Sequence, residues 1–99
     1  MARSYYSDYV AHMMRFYLLS KQRPGLIESK VEKANVSACE EVLGGFTKEE
    51  GELIKELYSC EYIPQNVEKI SREKHLKTSY IWKLLADFER KTARIRGLV

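Results

Sequence analysis

The chain has 99 residues, of which 44% are hydrophobic and 31% are charged, with a formal net charge of +3. This length suits one domain with a modest core, and the balance of apolar and charged residues excludes a disordered chain. No apolar run is long enough to span a bilayer, and residues 1–6 lack the apolar core of a secretion signal. A cytoplasmic location without membrane contact is therefore expected.

The first predicted helix covers Tyr5–Leu19, with Ser4 or Ser7 as its N-cap. Aromatic and aliphatic residues recur there at helical spacing, and Met14 and Leu18 fall outside that stripe. This helix is therefore expected to be apolar on more than one face, either sandwiched in the core or covered by a second copy in a homodimer. Its tyrosines suit a half-buried face or, alternatively, a platform for stacking bases.

A capping box at Ser29–Glu32 starts a second predicted helix, because each of the two side chains accepts a bond from the other residue's backbone N–H. Gly44-Gly45 is predicted to end this helix, since glycine adopts the left-handed conformation that often follows a helix. The residues predicted to face inward are Val31, Ala34, Ala38 and Val42.

A second capping box, Thr47–Glu50, starts a third helix that is predicted to reach about Cys60. The segment Glu61–Gln65 is predicted to be a connector fixed by Pro64, and Asn66 is predicted to cap the fourth helix. The residues predicted to be buried along the third helix are Leu53, Ile54 and Leu57, with Tyr58 at the margin.

The fifth helix is predicted to follow a short turn, Leu76-Lys77, with Thr78 as its cap, and to cover Ser79–Arg96. Spacings of three and four residues put its apolar side chains on one stripe: Ile81, Leu84, Leu85 and Phe88. Trp82 is expected at the edge of this stripe, packed against the core or, alternatively, exposed for a partner.

These elements predict one all-α domain with about five helices, in which 1–46 form a helical support and 47–99 form a helix-turn-helix part. Charge is divided unevenly within the second part. Thr47–Gln65 holds two lysines against five glutamates, whereas Asn66–Val99 holds nine Lys or Arg against four Asp or Glu. The basic segment indicates contact with a polyanion; the alternative is an ordinary solvated lysine-rich surface.

The side of the fifth helix opposite its apolar stripe is polar and basic, as a helix that enters the DNA major groove requires. Lysine and arginine neutralise phosphates, and arginine recognises guanine through two hydrogen bonds. The predicted DNA-binding residues are Lys77, Ser79, Tyr80, Lys83, Asp87, Arg90 and Lys91. The alternative is a helical hairpin with a charged outer face.

Residues 47–99 resemble the fourth region of bacterial sigma factors and the small phage-type transcriptional regulators that share its fold. In that pattern an amphipathic helix, here Glu49–Tyr58, precedes two further helices, here Val67–His75 and Ser79–Arg96. The matching apolar positions are Val67, Ile70, Leu76, Ile81 and Leu84. His75 departs from the family, which has glycine in the turn, and a bulky residue disfavours positive φ.

The resemblance implies a regulator from a phage or mobile element that binds double-stranded DNA, with RNA polymerase as a further partner. The N-terminal part is too short for the sigma region that melts promoter DNA, so a complete sigma factor is not expected. Two other functions stay open. One is a protein-interaction module that docks on RNA polymerase or another partner without DNA, and the other is a small subunit for phage DNA packaging.

Catalytic motifs are absent from the sequence, which has no glycine-rich phosphate loop, no Gly-x-Ser-x-Gly and no His-Glu-x-x-His. Cys39 and Cys60 are far apart, and His12 and His75 stand alone, so zinc-ligand spacing is absent as well. An enzyme, a cofactor and a bound metal are therefore not expected. Two free thiols are expected in a reducing compartment, with a disulfide as the alternative.

Overall fold

The computed structural model describes residues 4–23, 25–59 and 62–98, which form five α-helices. The helices are α1 (Ser7–Gln22), α2 (Lys30–Leu43), α3 (Lys48–Leu57), α4 (Ile63–Lys74) and α5 (Thr78–Ile95). No strand occurs in the described ranges, so the predicted all-α fold with about five helices is confirmed. None of these helices combines the length and apolarity needed to cross a bilayer.

The start of α1 differs from the prediction in its cap. Tyr6 is the N-cap residue and makes no side-chain capping bond, so neither Ser4 nor Ser7 caps this helix. Ser7 lies inside the helix at 2% exposure, where its Oγ accepts from the Ser4 N–H at 3.1 Å. The same hydroxyl donates to Glu89 Oε1 on α5 at 3.2 Å. The Ser7 hydroxyl thus joins α1 to α5.

α1 is buried on more than one side, because both α2 and α5 pack against it. Met14 is fully buried, and Leu18 is partly buried against the same core. Of the two predicted alternatives, a helix sandwiched in the core or one covered by a second copy in a homodimer, the structure agrees with the first, because Met14 and Leu18 pack within the chain's own core. The remaining buried residues of this helix are Val10, Ala11, Met13 and Tyr17.

Both predicted capping boxes are confirmed. At the start of α2, Ser29 Oγ accepts from the Glu32 N–H at 3.1 Å, and Glu32 Oε1 accepts from the Ser29 N–H at 3.1 Å. At the start of α3, the bonds between Thr47 and Glu50 measure 3.2 and 2.9 Å. Each box satisfies two backbone donors that the helix leaves unpaired.

Two predictions for α2 are wrong. Val31 is 56% exposed, because it lies in the first turn, while the buried face begins one turn later at Asn35. Asn35 is buried between α1 and the end of α5: its Nδ2 donates to the Tyr9 hydroxyl at 3.5 Å, and Arg96 Nε donates to its Oδ1 at 2.7 Å. Gly44 ends the helix in the right-handed conformation, with φ −63°, so no left-handed glycine is used here.

The connection between α3 and α4 lies earlier in the sequence than predicted. α3 ends at Leu57, and its predicted end at Cys60 lies outside the described residues. α4 begins at Ile63, so Pro64 belongs to its first turn and not to a connector. Proline is tolerated there because the first backbone N–H groups of a helix have no partner within it.

Asn66 and Tyr58 are both more buried than predicted. Asn66 is 7% exposed within α4, and its side-chain amide donates to the Leu57 carbonyl at 2.8 Å, so it ties α4 to the end of α3 and is not the N-cap of α4. Tyr58 is 1% exposed, and its hydroxyl donates to Glu89 Oε2 at 3.5 Å. Both residues therefore join helices inside the domain.

α5 packs against each of the other four helices and forms the centre of the fold. Its bounds agree with the predicted helix to within one residue at each end. The predicted apolar stripe is confirmed, and it continues to the end of the helix. The buried residues are Ile81, Leu84, Leu85, Phe88, Glu89, Thr92 and Ala93. Trp82 is partly buried against this core, as expected for a residue at the edge of the stripe.

Candidate DNA-binding surface

The turn between α4 and α5 contains three residues, His75, Leu76 and Lys77. His75 adopts the left-handed conformation, with φ 55° and ψ 43°. The Leu76 N–H then returns to the Ser71 carbonyl at 3.1 Å, and the Ser71 hydroxyl donates to the Leu76 carbonyl at 2.6 Å. This is the geometry that glycine usually provides at a helix end. In this protein His75 adopts that conformation, so the turn has the left-handed geometry although the expected glycine is absent.

Replacing His75 with glycine should stabilise the protein. A non-glycine residue in the left-handed conformation costs about 1–2 kcal/mol, whereas glycine costs roughly 0.5–1 kcal/mol through the entropy of the unfolded chain. His75 is exposed and loses little packing on replacement. The free energy of unfolding of His75→Gly, measured by urea denaturation, should therefore rise by about 0.5–1 kcal/mol.

His12 supplies the matched control, because it is exposed in the interior of α1. His12→Gly should lower the free energy of unfolding by about 0.5 kcal/mol, since glycine is a poorer helix former. Equal destabilisation by both substitutions would contradict the left-handed turn at His75.

The predicted DNA-binding residues lie on the outward side of α5 and its preceding turn. All are exposed except Asp87, which is partly buried. The exposed members are Lys77, Ser79, Tyr80, Lys83, Arg90 and Lys91. Within the described residues Lys83 forms no ion pair, so its ammonium group is accessible to a ligand.

Asp87 changes the electrostatics of the outward side. Its carboxylate contacts Arg90 Nη2 at 2.6 Å and Lys91 Nζ at 3.2 Å. The Arg90 side chain is 57% exposed, but it is already engaged by a carboxylate. Asp87 thus offsets part of the positive charge that the sequence assigned to this end of the surface, while Lys83, although close to Asp87 on the helix, forms no ion pair with it.

Arg94 is an exposed basic residue that the sequence prediction missed. Eleven residues separate it from Lys83, which is three helical turns and an angular difference of only about 20°. It therefore lies on the same line as Lys83, about 16 Å further along the axis. The 11-residue spacing between Lys83 and Arg94 indicates in the sequence that both lie on one side of the helix, but the predicted set of residues ended at Lys91.

The N-cap residue of α5 is Lys77, and its side chain makes no capping bond, which corrects the prediction that Thr78 caps the helix. In the first turn the Tyr80 N–H bonds to the Lys77 carbonyl at 3.1 Å. Backbone N–H groups at a helix N-terminus and the positive end of the helix dipole favour an anion such as phosphate. Lys77 adds a positive charge at the same place.

An acidic surface adjoins this basic one. α3 carries Glu49, Glu52 and Glu56 on its exposed side, and together with Leu76 and Tyr80 these residues line a cavity of about 730 Å³. Glu56 lies 3.7 Å from Lys74 Nζ. Tyr80 lines both this cavity and a second one that Lys83 and Arg90 line, so the acidic and basic surfaces meet at Tyr80.

Groups suited to catalysis or metal binding do not converge in the part of the chain that the structure describes. No group of three or more His, Cys, Asp or Glu side chains there is arranged to hold a metal ion. Cys39 is a free, fully buried thiol, and burial raises its pKa to about 12. A thiol with such a pKa stays protonated and is a poor nucleophile. Cys60 lies outside the described residues.

Comparisons with known proteins give no relative for this chain: no family model, no curated protein and no solved structure matches it.

Proposed function

We propose that this protein binds double-stranded DNA through the outward side of α5 and acts as a transcriptional regulator. The observation that carries the proposal is the exposure of that side from Ser79 to Arg94, with the Lys83 side chain accessible on it. An α-helix is about 10–12 Å across, and the major groove of B-DNA is about 12 Å wide, so such a helix can enter it.

The α4–α5 connection supports a helix-turn-helix interpretation. Two packed helices joined by three residues with a left-handed residue in the turn fit the general form of that motif. The resemblance of residues 47–99 to sigma region 4 extends the proposal to a regulator from a phage or mobile element. Assignment to that particular type of helix-turn-helix is part of the proposal.

Different residues of the surface suit different contacts. Lys77 and the first turn of α5 are placed for a phosphate. Ser79 and Tyr80 follow in the same turn, where a recognition helix contacts base edges. Lys83 and Arg94 supply charge further along the helix. Arg90 is held by Asp87, which fixes the orientation of its guanidinium group.

Salt dependence tests the proposal on mixed-sequence duplex DNA. Because bound lysines displace counterions, the affinity of the wild-type protein should fall steeply as salt rises, and Lys83→Ala should reduce the slope of log K against log salt by about 0.9. Lys33→Ala removes the same charge from the exposed side of α2 and should leave the slope unchanged. Affinity that does not respond to salt, or equal effects of the two substitutions, would count against DNA binding.

A second candidate function is a protein-interaction module that docks on RNA polymerase or another protein without touching DNA. Two observations favour it: Asp87 engages Arg90 and Lys91, and acidic α3 lies beside the start of α5. Both reduce the attraction of this end of the molecule for phosphate. The DNA titration separates the two functions, because an interaction module without DNA contact would show no salt-dependent binding to duplex DNA.

A further inference from the structure

The groove between α3 and the α4–α5 turn has the dimensions of a binding site. Its volume is about 730 Å³, within the range of about 300–1,000 Å³ that is typical of ligand pockets. Its apolar lining comes from Leu53, which is nearly buried, from partly buried Leu76, and from Tyr80, which is 43% exposed. We call this the α3–α5 groove. An apolar lining on an open surface favours a ligand with an apolar side chain of its own.

The charged lining of the α3–α5 groove is predominantly negative. Four glutamates and two lysines line it. One of the lysines, Lys74, is paired with a glutamate, because its Nζ lies 3.7 Å from Glu56 Oε2. Glu49 and Glu50 stand in the first turn of α3, where they complement the helix dipole, and Glu50 also completes a capping box. Glu52 lies beyond that turn, so the dipole does not account for it.

Glu49 and Glu52 keep their negative charges unneutralised. Both are exposed, and neither forms an ion pair with any residue in the described ranges. Anionic ligands such as DNA phosphates are repelled from this groove, whereas a cationic ligand gains Coulomb energy on entering it. The apolar lining at the same place favours a ligand that carries apolar groups as well as positive charge.

We propose that the α3–α5 groove binds a short basic segment of another protein, in which one or two apolar side chains sit on Leu53, Leu76 and Tyr80 while lysine or arginine side chains pair with Glu49 and Glu52. The occupant is inferred from charge complementarity together with the apolar lining. This interaction goes beyond the proposed DNA binding. It shares Tyr80 with the DNA-binding surface, but its charged contacts, Glu49 and Glu52, belong to α3 and are not part of that surface.

A defined probe tests the groove. A fluorescein-labelled ten-residue peptide with four arginines around two leucines should bind the full chain in a fluorescence-polarisation titration at 0.15 M salt. Glu49→Lys/Glu52→Lys should weaken this binding about tenfold or more, because two attractive charge pairs become repulsive. A peptide with serine in place of both leucines should also bind at least about fivefold more weakly, since it lacks the apolar anchor.

The matched control carries the same change in net charge elsewhere. Glu41 and Glu68 are exposed on α2 and α4 and do not line the groove, so Glu41→Lys/Glu68→Lys should bind the peptide within about twofold of wild type. Equal losses in both double variants would overturn the proposal in favour of general charge attraction. Absence of peptide binding to wild type, or equal binding of the serine peptide, would also overturn it.

Two further outcomes keep this proposal separate from DNA binding. The Glu49→Lys/Glu52→Lys variant should bind duplex DNA at least as tightly as wild type, because it loses negative charge beside the DNA-binding surface. If Lys83→Ala loses DNA binding but retains peptide binding, the two surfaces act independently and the peptide-binding proposal stands.

Concentration-dependent self-association that Glu49→Lys/Glu52→Lys abolishes would overturn the partner assignment and identify a second copy of this chain as the occupant.

Discussion

Lys83→Glu/Arg94→Glu should reduce DNA affinity by more than about 30-fold at 0.15 M salt. Each phosphate contact contributes about 0.7 decade of affinity at that salt through counterion release, so the loss of two contacts alone gives roughly 30-fold. Reversed charges add repulsion from the phosphates. Both residues are exposed on one line of α5, so the change leaves the core intact. The affinity is measured by fluorescence polarisation with a labelled duplex.

Lys30→Glu/Lys33→Glu is the matched control for this charge reversal. Both lysines are exposed on α2, and the change in net charge is the same. The control should lose less than about threefold in affinity, which is the general effect of a more negative protein at this ionic strength. Similar losses in the two variants would show that net charge, and not the outward side of α5, determines binding.

Phe88→Ala should destabilise the fold by about 3–5 kcal/mol, a large part of the stability expected for a domain of this size. Phe88 is fully buried on α5, and its ring centroid lies 5.9 Å from that of Tyr58 and 6.4 Å from that of Phe46. Truncation removes these aromatic contacts and leaves a cavity at the centre of the domain. Guanidinium or urea denaturation measures the change.

Two variants bracket this effect. Phe88→Leu keeps most of the apolar volume and should cost about 1–1.5 kcal/mol. Tyr62→Ala removes an aromatic ring that is 60% exposed and should change stability by no more than about 0.5 kcal/mol. A loss below about 1 kcal/mol for Phe88→Ala would mean that α5 does not occupy the centre of the core.

Local signals in the sequence were sufficient for much of the fold. The capping boxes at Ser29–Glu32 and Thr47–Glu50 were found because every atom they require lies within four residues. The burial of Ile81 and Phe88 followed from helical spacing. These features depend on neighbours along the chain, so the sequence specifies them without knowledge of the tertiary structure.

Features that depend on distant partners were not predicted. Asn66 resembles a helix cap in the sequence, but its side-chain amide donates to the Leu57 carbonyl. The two groups are close only because α3 packs against α4. Pro64 is compatible with either a connector or the first turn of a helix, and the tertiary fold decides between them. Met14 could be assigned either to the core or to a homodimer, because the sequence does not show that α2 and α5 enclose α1.

The candidate surface was predictable only where it depends on neighbours along the chain. The outward position of Lys83 follows from its distance to the apolar stripe, and the structure places it there. The ion pairs of Asp87 with Arg90 and Lys91 have the spacings expected for neighbours on a helix. The sequence does not determine whether the arginine pairs with Asp87 or binds a ligand. The proximity of Glu52 to Tyr80 required the packing of α3 beside α5.

The contacts of α5 with all four other helices have a consequence for cooperativity. The helix that is proposed to contact DNA cannot separate from the domain without exposing Leu85, Phe88 and Ala93, so its release and global unfolding should be one event. Hydrogen exchange of the buried, hydrogen-bonded amides in the middle of α5 should then occur only by complete unfolding. A ligand that binds its outward side, at a free concentration of 100 times its Kd, would slow the exchange of such globally protected amides in every helix, including α1, by an equal factor of about 100.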